Sequence, residues 1–267
     1  MRRHAPLALA VLVAVLTSSG CTDGGSGGPV TVEPCDRGTP PPTEPGERDP
    51  LLTIAVGQGP YDLTRVVYED GWVLSLADAA PEALAAMQLP RSVPSPYDDG
   101  PMAWQIGYLG ECALTQLTDL AERAVSEDVT VGSPMITDQP TTYLTRYGEP
   151  EPVTVAAYAL DRGQDVGGLD PGQQAAREEL RAVERLAGTA IDSGEVLAVT
   201  SVRIWGRVGA DLPADWPGPP LADIVGDGAC GELTGEQARA VYEYLSAEPD
   251  GWGGLYGAVV PPGLPAC

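Results

Sequence analysis

Residues 141–188 read TTYLTRYGEPEPVTVAAYALDRGQDVGGLDPGQQAAREELRAVERLAG, and this stretch decides the fold. Two runs of β-strand character, 143–147 and 153–160, precede the clearest helix of the sequence. Asp170 suits the N-cap of that helix, Pro171 its first position and Gly188 the residue after its end.

The predicted helix has one apolar stripe, because apolar residues recur along it at steps of three and four. The second strand-like run has alternating faces that offer a surface for this stripe. We therefore predict that hairpin and helix form one packing unit. The stripe consists of Ala176, Leu180, Val183 and Ala187; one strand face consists of Val153, Val155, Ala157 and Ala159, and the other of Thr154, Ala156, Tyr158 and Leu160.

The remaining elements alternate between strands and helices. A hairpin over 65–76 turns at Asp70-Gly71, and helices are predicted from Thr115 and Thr234. The order predicts an α+β domain, with an antiparallel or mixed sheet and about three helices packed on one face. Further predicted strands are 51–56, 104–109, 196–208 and 255–260, with a helical turn at 81–87 and a Pro-rich crossing at 210–222.

Two cysteine segments resemble each other. Residues 110–112 (GEC) with Leu114-Thr115 are similar to residues 228–230 (GAC) with Leu233-Thr234. The similarity predicts a pseudo-repeat of hairpin, strand and helix, but two copies do not indicate a solenoid.

The N-terminus predicts a secretory signal followed by a lipid anchor. Arg2 and Arg3 form a basic start, and residues 5–16 form an apolar core too short to span a membrane as a helix. Small residues 18–20 lead to Cys21, an arrangement that resembles a bacterial lipobox, although such boxes usually carry leucine at the position of Ser18. We predict lipidation at Cys21; the alternative is ordinary cleavage that leaves Cys21 as a thiol.

Composition then divides the chain into three parts. Residues 1–20 are the predicted signal peptide, 21–50 a tether that is first Gly/Ser-rich and then Pro-rich, and 51–267 a single α+β extracytoplasmic domain. The predicted location is the extracytoplasmic face of the cell membrane, with the lipid as the only membrane contact.

Cysteine parity agrees with an oxidising compartment, because four cysteines remain when Cys21 is set aside. Four cysteines allow three connectivities, and the sequence alone does not decide among them. We predict Cys35–Cys112 and Cys230–Cys267, since each pair joins a terminal segment to a residue just before a helix.

The charge excludes one class of partner. Without residues 1–20 the chain has 38 acids against 13 Arg, a formal charge of −25. Nucleic-acid binding needs basic surface, so nucleic acid is not a predicted partner. The acidic surface itself is typical of a secreted protein that must stay soluble.

Several segments resemble a family of uncharacterised secreted proteins and lipoproteins of GC-rich actinobacteria. The similarity covers roughly residues 51–267 and implies a fold and a location, but no activity, ligand or catalytic residue. The segments are 67–73 (VYEDGWV), 141–143 (TTY), 155–160 (VAAYAL), Trp216-Pro217, Cys230-Gly231 and the Pro-rich end at Cys267.

Most familiar catalytic sites are excluded by residue type. The chain has no Lys, and its one His, His4, lies in the predicted signal peptide. A Ser-His-Asp triad, a His-ligated zinc site, a Schiff base and a Walker loop are therefore excluded. Residues 191–194 (IDSG) resemble one half of an aspartic-protease site, but no second such loop exists and a turn after the helix is the better interpretation.

Three alternatives remain open at this level. Two carboxylates near a cleft could act on a glycosidic bond. Asp161, Asp165 and Asp170 lie in a Gly-rich segment that could offer oxygen ligands to calcium, although the spacing misses the EF-hand pattern. Tyr143 and Tyr147 share a strand face with Thr145 and belong either to the core or to an exposed recognition surface.

We therefore expect a non-catalytic, lipid-anchored envelope protein that binds a protein or ligand, with no metal, no cofactor and no catalytic residue. The alternative is a carboxylate-dependent hydrolase of cell-wall glycan. Two close acids in a cleft, one of them in an apolar pocket, would favour the hydrolase.

Overall fold

The computed structural model describes residues 30, 32–35, 48–57, 62–76, 103–148, 150–162, 167–205, 212–226, 230–247 and 255–267. Cys21, Asp165, the predicted signal peptide and the helical turn predicted at 81–87 lie outside the described residues. Among the helices in these ranges, none has the length and hydrophobicity needed to cross a membrane.

A seven-stranded antiparallel sheet is the larger of two sheets. Its spatial order is β6-β5-β1-β2-β3-β4-β7, so the chain builds the sheet from its middle outwards. The β2–β3 turn at Asp70-Gly71 confirms the predicted hairpin. The strands are β1 (Pro50–Gly57), β2 (Leu63–Tyr68), β3 (Trp72–Leu76), β4 (Trp104–Tyr108), β5 (Thr141–Arg146), β6 (Val153–Tyr158) and β7 (Ile191–Val196).

Two helices, α1 (Glu111–Ala124) and α2 (Pro171–Ala187), cover one face of this sheet. The N-cap of α2 is Asp170, whose carboxylate accepts a hydrogen bond from Gln173 N at 2.9 Å while Gln173 Oε1 accepts one from Asp170 N at 3.1 Å. This capping box begins the helix where the sequence predicts. Hairpin and helix share one core, which includes Leu144, Val155, Ala157, Leu160, Leu180, Val183 and Ala187.

A second, three-stranded antiparallel sheet has the order β10-β8-β9. A short helix and a longer one pack against it around Val202, Ile204 and Val241. Its elements are β8 (Ser201–Trp205), α3 (Leu221–Val225), β9 (Cys230–Thr234), α4 (Gly235–Ala247) and β10 (Tyr256–Val259).

The two sheets meet on the face of the large sheet that the helices leave uncovered. Trp104 Nε1 donates to Val259 O at 3.0 Å, and Tyr68 OH donates to Pro262 O at 3.0 Å. Both side chains are buried, so these bonds satisfy polar groups that would otherwise be stranded in an apolar interface. Apolar packing at this interface includes Val66, Leu74, Trp104, Ile106, Leu197 and Val259.

The α+β class is confirmed, but the helices do not all lie on one face. Of the four α-helices in the described residues, α1 and α2 cover the large sheet, whereas α3 and α4 pack on the small one.

The sequence also predicts one continuous strand over 196–208, and this prediction is wrong, because β7 ends at Val196 and β8 begins at Ser201. Leu197 N donates to Trp104 O at 2.8 Å, and residues 197–200 carry the chain between the sheets. Leu197 is buried, whereas Ala198 and Thr200 are exposed, so the segment is a connection near the surface; its apolar and β-branched residues alone read as strand.

The start of one helix and the conformation of one short segment also differ from the sequence prediction. Helix α1 begins at Glu111 and not at Thr115, because Gly110 has the extended backbone of an N-cap. The turn predicted at residues 191–194 is wrong, since these residues open edge strand β7 with a β-bulge opposite Ile106. In that bulge Ser193 Oγ donates to Ile106 O at 2.7 Å, and Asp192 accepts from Gly194 N at 2.8 Å.

A buried arginine fixes the end of β6. Arg177 of α2 is 0% exposed, and its Nη2 donates to Tyr158 O at 2.7 Å and to Ala159 O at 2.8 Å. One helical turn later, Arg181 Nε donates to Leu160 O at 2.7 Å. The chain bends sharply here, since Ala159 has a φ of 54°. The two arginines therefore tie α2 to three successive carbonyls of the bend.

Candidate functional site

The N-terminal segment that composition assigns to a tether packs against the domain. We call residues 32–35 the strap. Val32 and Cys35 of the strap, and Val30 before it, are half-buried against the core beneath α1 and α2. The described chain is therefore part of the packed body from Val30 onwards, 21 positions before the predicted start of the domain at residue 51.

One glutamine holds the strap in the way that a strand partner would. Gln116 of α1 accepts from Glu33 N at 3.1 Å through Oε1 and donates to Glu33 O at 3.3 Å through Nε2. The same Nε2 lies 3.0 Å from Cys35 Sγ. A side-chain amide can pair with both backbone groups of one residue because it carries one acceptor and one NH2 donor.

Two disulfides clamp the termini. Cys35 is bonded to Cys112 in the first turn of α1, and Cys230 at the start of β9 is bonded to Cys267. These are the pairs chosen from the sequence. The first crosslink fixes the strap on α1, and the second closes the C-terminal end of the chain on the small sheet.

A cleft of about 610 Å³ lies beside the strap, and we call it the strap cleft. The strap forms one wall, the end of β4 and the start of α1 form the floor, and the turn between α2 and β7 forms the other wall. Its surface is mostly apolar, with contributions from Val32, Pro34, Tyr108 and Ile191. The size falls within the range of about 300–1,000 Å³ typical of small-molecule sites.

The charged side chains of the strap cleft, within the described residues, are Glu33 and Asp192. Both are exposed. Asp192 comes from the segment that resembles half of an aspartic-protease site, and the structure places it at the mouth of this cleft in a β-bulge and not in a catalytic loop. The cleft thus combines apolar walls with negative charge at its edge.

The chain was compared with protein-family models, curated proteins and solved structures. None of the three comparisons finds a match. Function is therefore inferred from the side chains of the chain itself.

A second feature with chemical potential is Glu184 in the last turns of α2. Burial raises the pKa of its carboxyl to about 7; the positive charge of Arg65 opposes this shift and the negative charge of Asp161 adds to it. Arg65 lies close by, because its Nη1 donates to the backbone carbonyl of Glu184 at 3.4 Å while its Nε donates to Ser75 at 3.1 Å. A carboxyl of this kind holds its proton near neutral pH, as a general acid must.

Glu184 makes stability depend on pH. Its folded pKa lies above the ordinary value near 4.5, so its contribution is fully present below pH 4.5 and is lost as pH rises through about 7. We expect Glu184→Gln to be more stable than the wild type at pH 8 by about 2 kcal/mol, with no such gain at pH 4.5. Urea unfolding at the two pH values measures the difference, and exposed Glu122→Gln is the control. An equal offset at both pH values would contradict the prediction.

Asp161 and Asp170, the two acids of the predicted calcium segment that the structure describes, do not gather into a site. Asp170 is used as the helix cap, and Asp161 is exposed in a 3₁₀ turn, Leu160–Arg162. Within the described ranges no group of three or more His, Cys, Asp or Glu side chains is placed to hold a metal ion.

Tyr143 and Tyr147, which the sequence assigns either to the core or to an exposed recognition surface, are both half-buried. Tyr143 pairs with Ala55 on one side and Ala156 on the other, and its side chain is half-buried on the face away from α1 and α2. Tyr147 is half-buried as well, just beyond β5. On the same face, Thr145 and Thr154 share a hydrogen bond of 2.8 Å between their hydroxyl groups. This surface is partly open and does not belong to the apolar clusters of either sheet.

Sequence reasoning missed Gln116, Arg177 and Glu184. For two of them a signal exists, because Arg177 stands three residues before Leu180 and Glu184 four residues after it, which places both on the side of the apolar stripe. A charged residue at such positions indicates a buried interaction. Gln116 has no comparable signal, since its partner is the backbone of a segment 83 positions away.

Proposed function

We propose that this chain is a lipid-anchored protein of the cell envelope that binds a ligand or protein outside the cell without chemical turnover. The observation that carries the proposal is the strap cleft, a mostly apolar concavity of about 610 Å³ whose wall is fixed by the Cys35–Cys112 disulfide. A preformed cleft binds with little ordering of the protein, which favours affinity. The disulfides and the resemblance to secreted actinobacterial proteins support the extracytoplasmic location.

The anchor is tested by Cys21→Ala. Because two or more acyl chains hold a protein on a membrane far more firmly than one, loss of the acylated cysteine should move nearly all of the protein to the soluble fraction. Fractionation of the cells followed by immunoblotting measures this. Ser18→Ala, which leaves the cysteine in place, should remain with the membranes; Cys21→Ala protein that stays there unchanged would contradict the anchor.

The binding surface is tested by filling the strap cleft. Thr189 lines the cleft, and its exposed side chain is not needed for the core. Thr189→Trp should abolish the binding of any envelope component that the wild-type protein retains, because the indole occupies the cleft. Thr115→Trp is a matched control, since both threonine hydroxyls bond a carbonyl of their own chain segment and both side chains are exposed. Binding that survives Thr189→Trp would place the site elsewhere.

A glycan hydrolase is the second candidate, and Glu184 is the observation that favours it. A half-buried carboxyl with a pKa of about 7 has the property of a general acid, and Asp161 is the acid whose charge adds to that shift. Incubation of the purified protein with peptidoglycan tests it. Turnover that Glu184→Gln abolishes and Glu122→Gln preserves would establish the hydrolase, whereas we expect no turnover from any of the three proteins.

A further inference from the structure

The strap cleft lies on the side of the domain that is closest to the predicted anchor. Val30 already packs against the core, and Cys21 precedes it by nine residues. Nine residues of fully extended chain reach at most about 32 Å, at about 3.6 Å per residue. If Cys21 is acylated, Val30 can therefore stand no further than this from the bilayer surface.

The domain is too large to turn this side away from the membrane freely. A chain of this size has a radius of gyration of about 18 Å, so its diameter is about 45 Å and exceeds the reach of the tether. Because the strap begins two residues after Val30 and forms a wall of the cleft, the cleft is held near the bilayer.

The lining of the cleft selects an apolar chain. Val32 and Pro34 of the strap and Ile191 at the start of β7 offer hydrocarbon surface, and Tyr108 adds a half-exposed ring at the end of β4. A cleft of about 610 Å³ is large enough for a small molecule with an alkyl tail, since such sites usually measure about 300–1,000 Å³. Burial of an alkyl chain there is favourable, because each methylene group in contact with the lining is removed from water.

The edge of the cleft selects the head of the same molecule. Glu33 and Asp192 stand on two different walls, and both are acids. Opposite charge is attracted by this pair and like charge is repelled, in a protein that is already strongly acidic. A phosphate or sulfate head is therefore disfavoured and an ammonium head is favoured.

We infer that the strap cleft binds a membrane-borne amphiphile with an alkyl tail and a cationic head, the tail lying between strap and α2–β7 turn and the head between Glu33 and Asp192. This inference rests on the proposed binding function and names the chemical class of its ligand. It does not depend on which envelope molecule supplies that class.

A series of probes with one tail and three heads tests the inference. Dodecyltrimethylammonium, dodecyl maltoside and dodecyl sulfate are titrated below their micellar concentrations into the Cys21→Ala protein, and binding is followed by calorimetry and by amide chemical shifts. We expect the cation to bind at least tenfold more tightly than the sulfate, with shifts concentrated in the strap and in residues 186–192. No saturable binding, or binding of the sulfate as tight as that of the cation, overturns the inference.

The charge pair is tested with a double variant of unchanged shape. Glu33→Gln/Asp192→Asn removes both charges and keeps the side-chain oxygen that accepts from Gly194 N. We expect it to lose about tenfold in affinity for the cation and to leave the maltoside affinity unchanged, while Asp119→Asn/Glu122→Gln on α1 changes neither. Equal cation affinity in both double variants overturns the role of the pair. The lipid anchor is tested separately, by the fractionation of Cys21→Ala, so a failure of the anchor is distinguished from a failure of amphiphile binding.

Discussion

Replacing Arg177 by methionine should lower the free energy of unfolding by about 3 kcal/mol, one of the two largest single effects that the structure predicts. The guanidinium is fully buried and donates to Tyr158 O and Ala159 O. Methionine fills similar space but offers no donor, so these carbonyls lose a charged partner inside a low-dielectric interior. The bend after β6, held at a positive φ at Ala159, loses its main side-chain support.

Chemical unfolding of the variant and the wild type measures the effect. Arg123→Met is the matched control, because Arg123 also lies on a helix and bonds one carbonyl, Asp119 O, but is exposed. We expect the control to stay within about 0.5 kcal/mol of the wild type. A stable Arg177→Met protein would show that the buried charge is offset by its desolvation, as in proteins where apolar replacement of a buried ion is neutral.

The sequence predicts correctly those helices and hairpins that are stabilised by residues close to each other in the chain. The α2 helix has a capping box, a proline at its first position and an apolar stripe, and it runs from Pro171 to Ala187 as predicted. The β2–β3 hairpin follows from Asp70-Gly71, because glycine adopts the φ of 89° found there without strain. In both cases the residues that determine the element lie within or directly beside it in the sequence.

The division into two sheets could not be predicted in the same way. Residues 196–205 are mostly apolar or β-branched, and periodicity does not show that Val196 ends one strand while β8 begins at Ser201 in a different sheet. What separates them is the pairing of β7 with β4 and of β8 with β9 and β10, contacts between distant segments. The distribution of helices over both sheets follows from this pairing and was missed for the same reason.

The composition of the N-terminal segment does not predict the strap cleft. A Pro-rich segment predicts a spacer, and only Cys35 indicated that this one returns to the domain. Its contacts with Gln116 and with the core of α1 and α2 are tertiary and leave no periodic trace in the sequence. Asp192, on another wall of the cleft, belongs to the segment that resembles half of an aspartic-protease site, but the structure places this segment in edge strand β7.

The second large effect concerns the disulfide that fixes this strap. Replacing both Cys35 and Cys112 by serine should lower the free energy of unfolding by about 4 kcal/mol, because the bond closes a loop of 77 positions and its loss frees the unfolded chain. The strap is then held only by the half-buried packing of Val32 and by Gln116, whose paired hydrogen bonds are worth only about 1 kcal/mol each. We therefore expect the strap to exchange its amide hydrogens rapidly in the variant and the cleft to lose one wall.

The second disulfide provides the matched control for this prediction. Cys230→Ser/Cys267→Ser opens a loop of 37 positions and should lower stability by a comparable amount, about 4 kcal/mol. It lies on the small sheet and contributes nothing to the strap cleft. Under conditions where both variants are folded, dodecyltrimethylammonium binding should therefore disappear with Cys35→Ser/Cys112→Ser and persist with Cys230→Ser/Cys267→Ser. Equal loss of binding in the two variants would show that global stability, and not the position of the strap, controls the cleft.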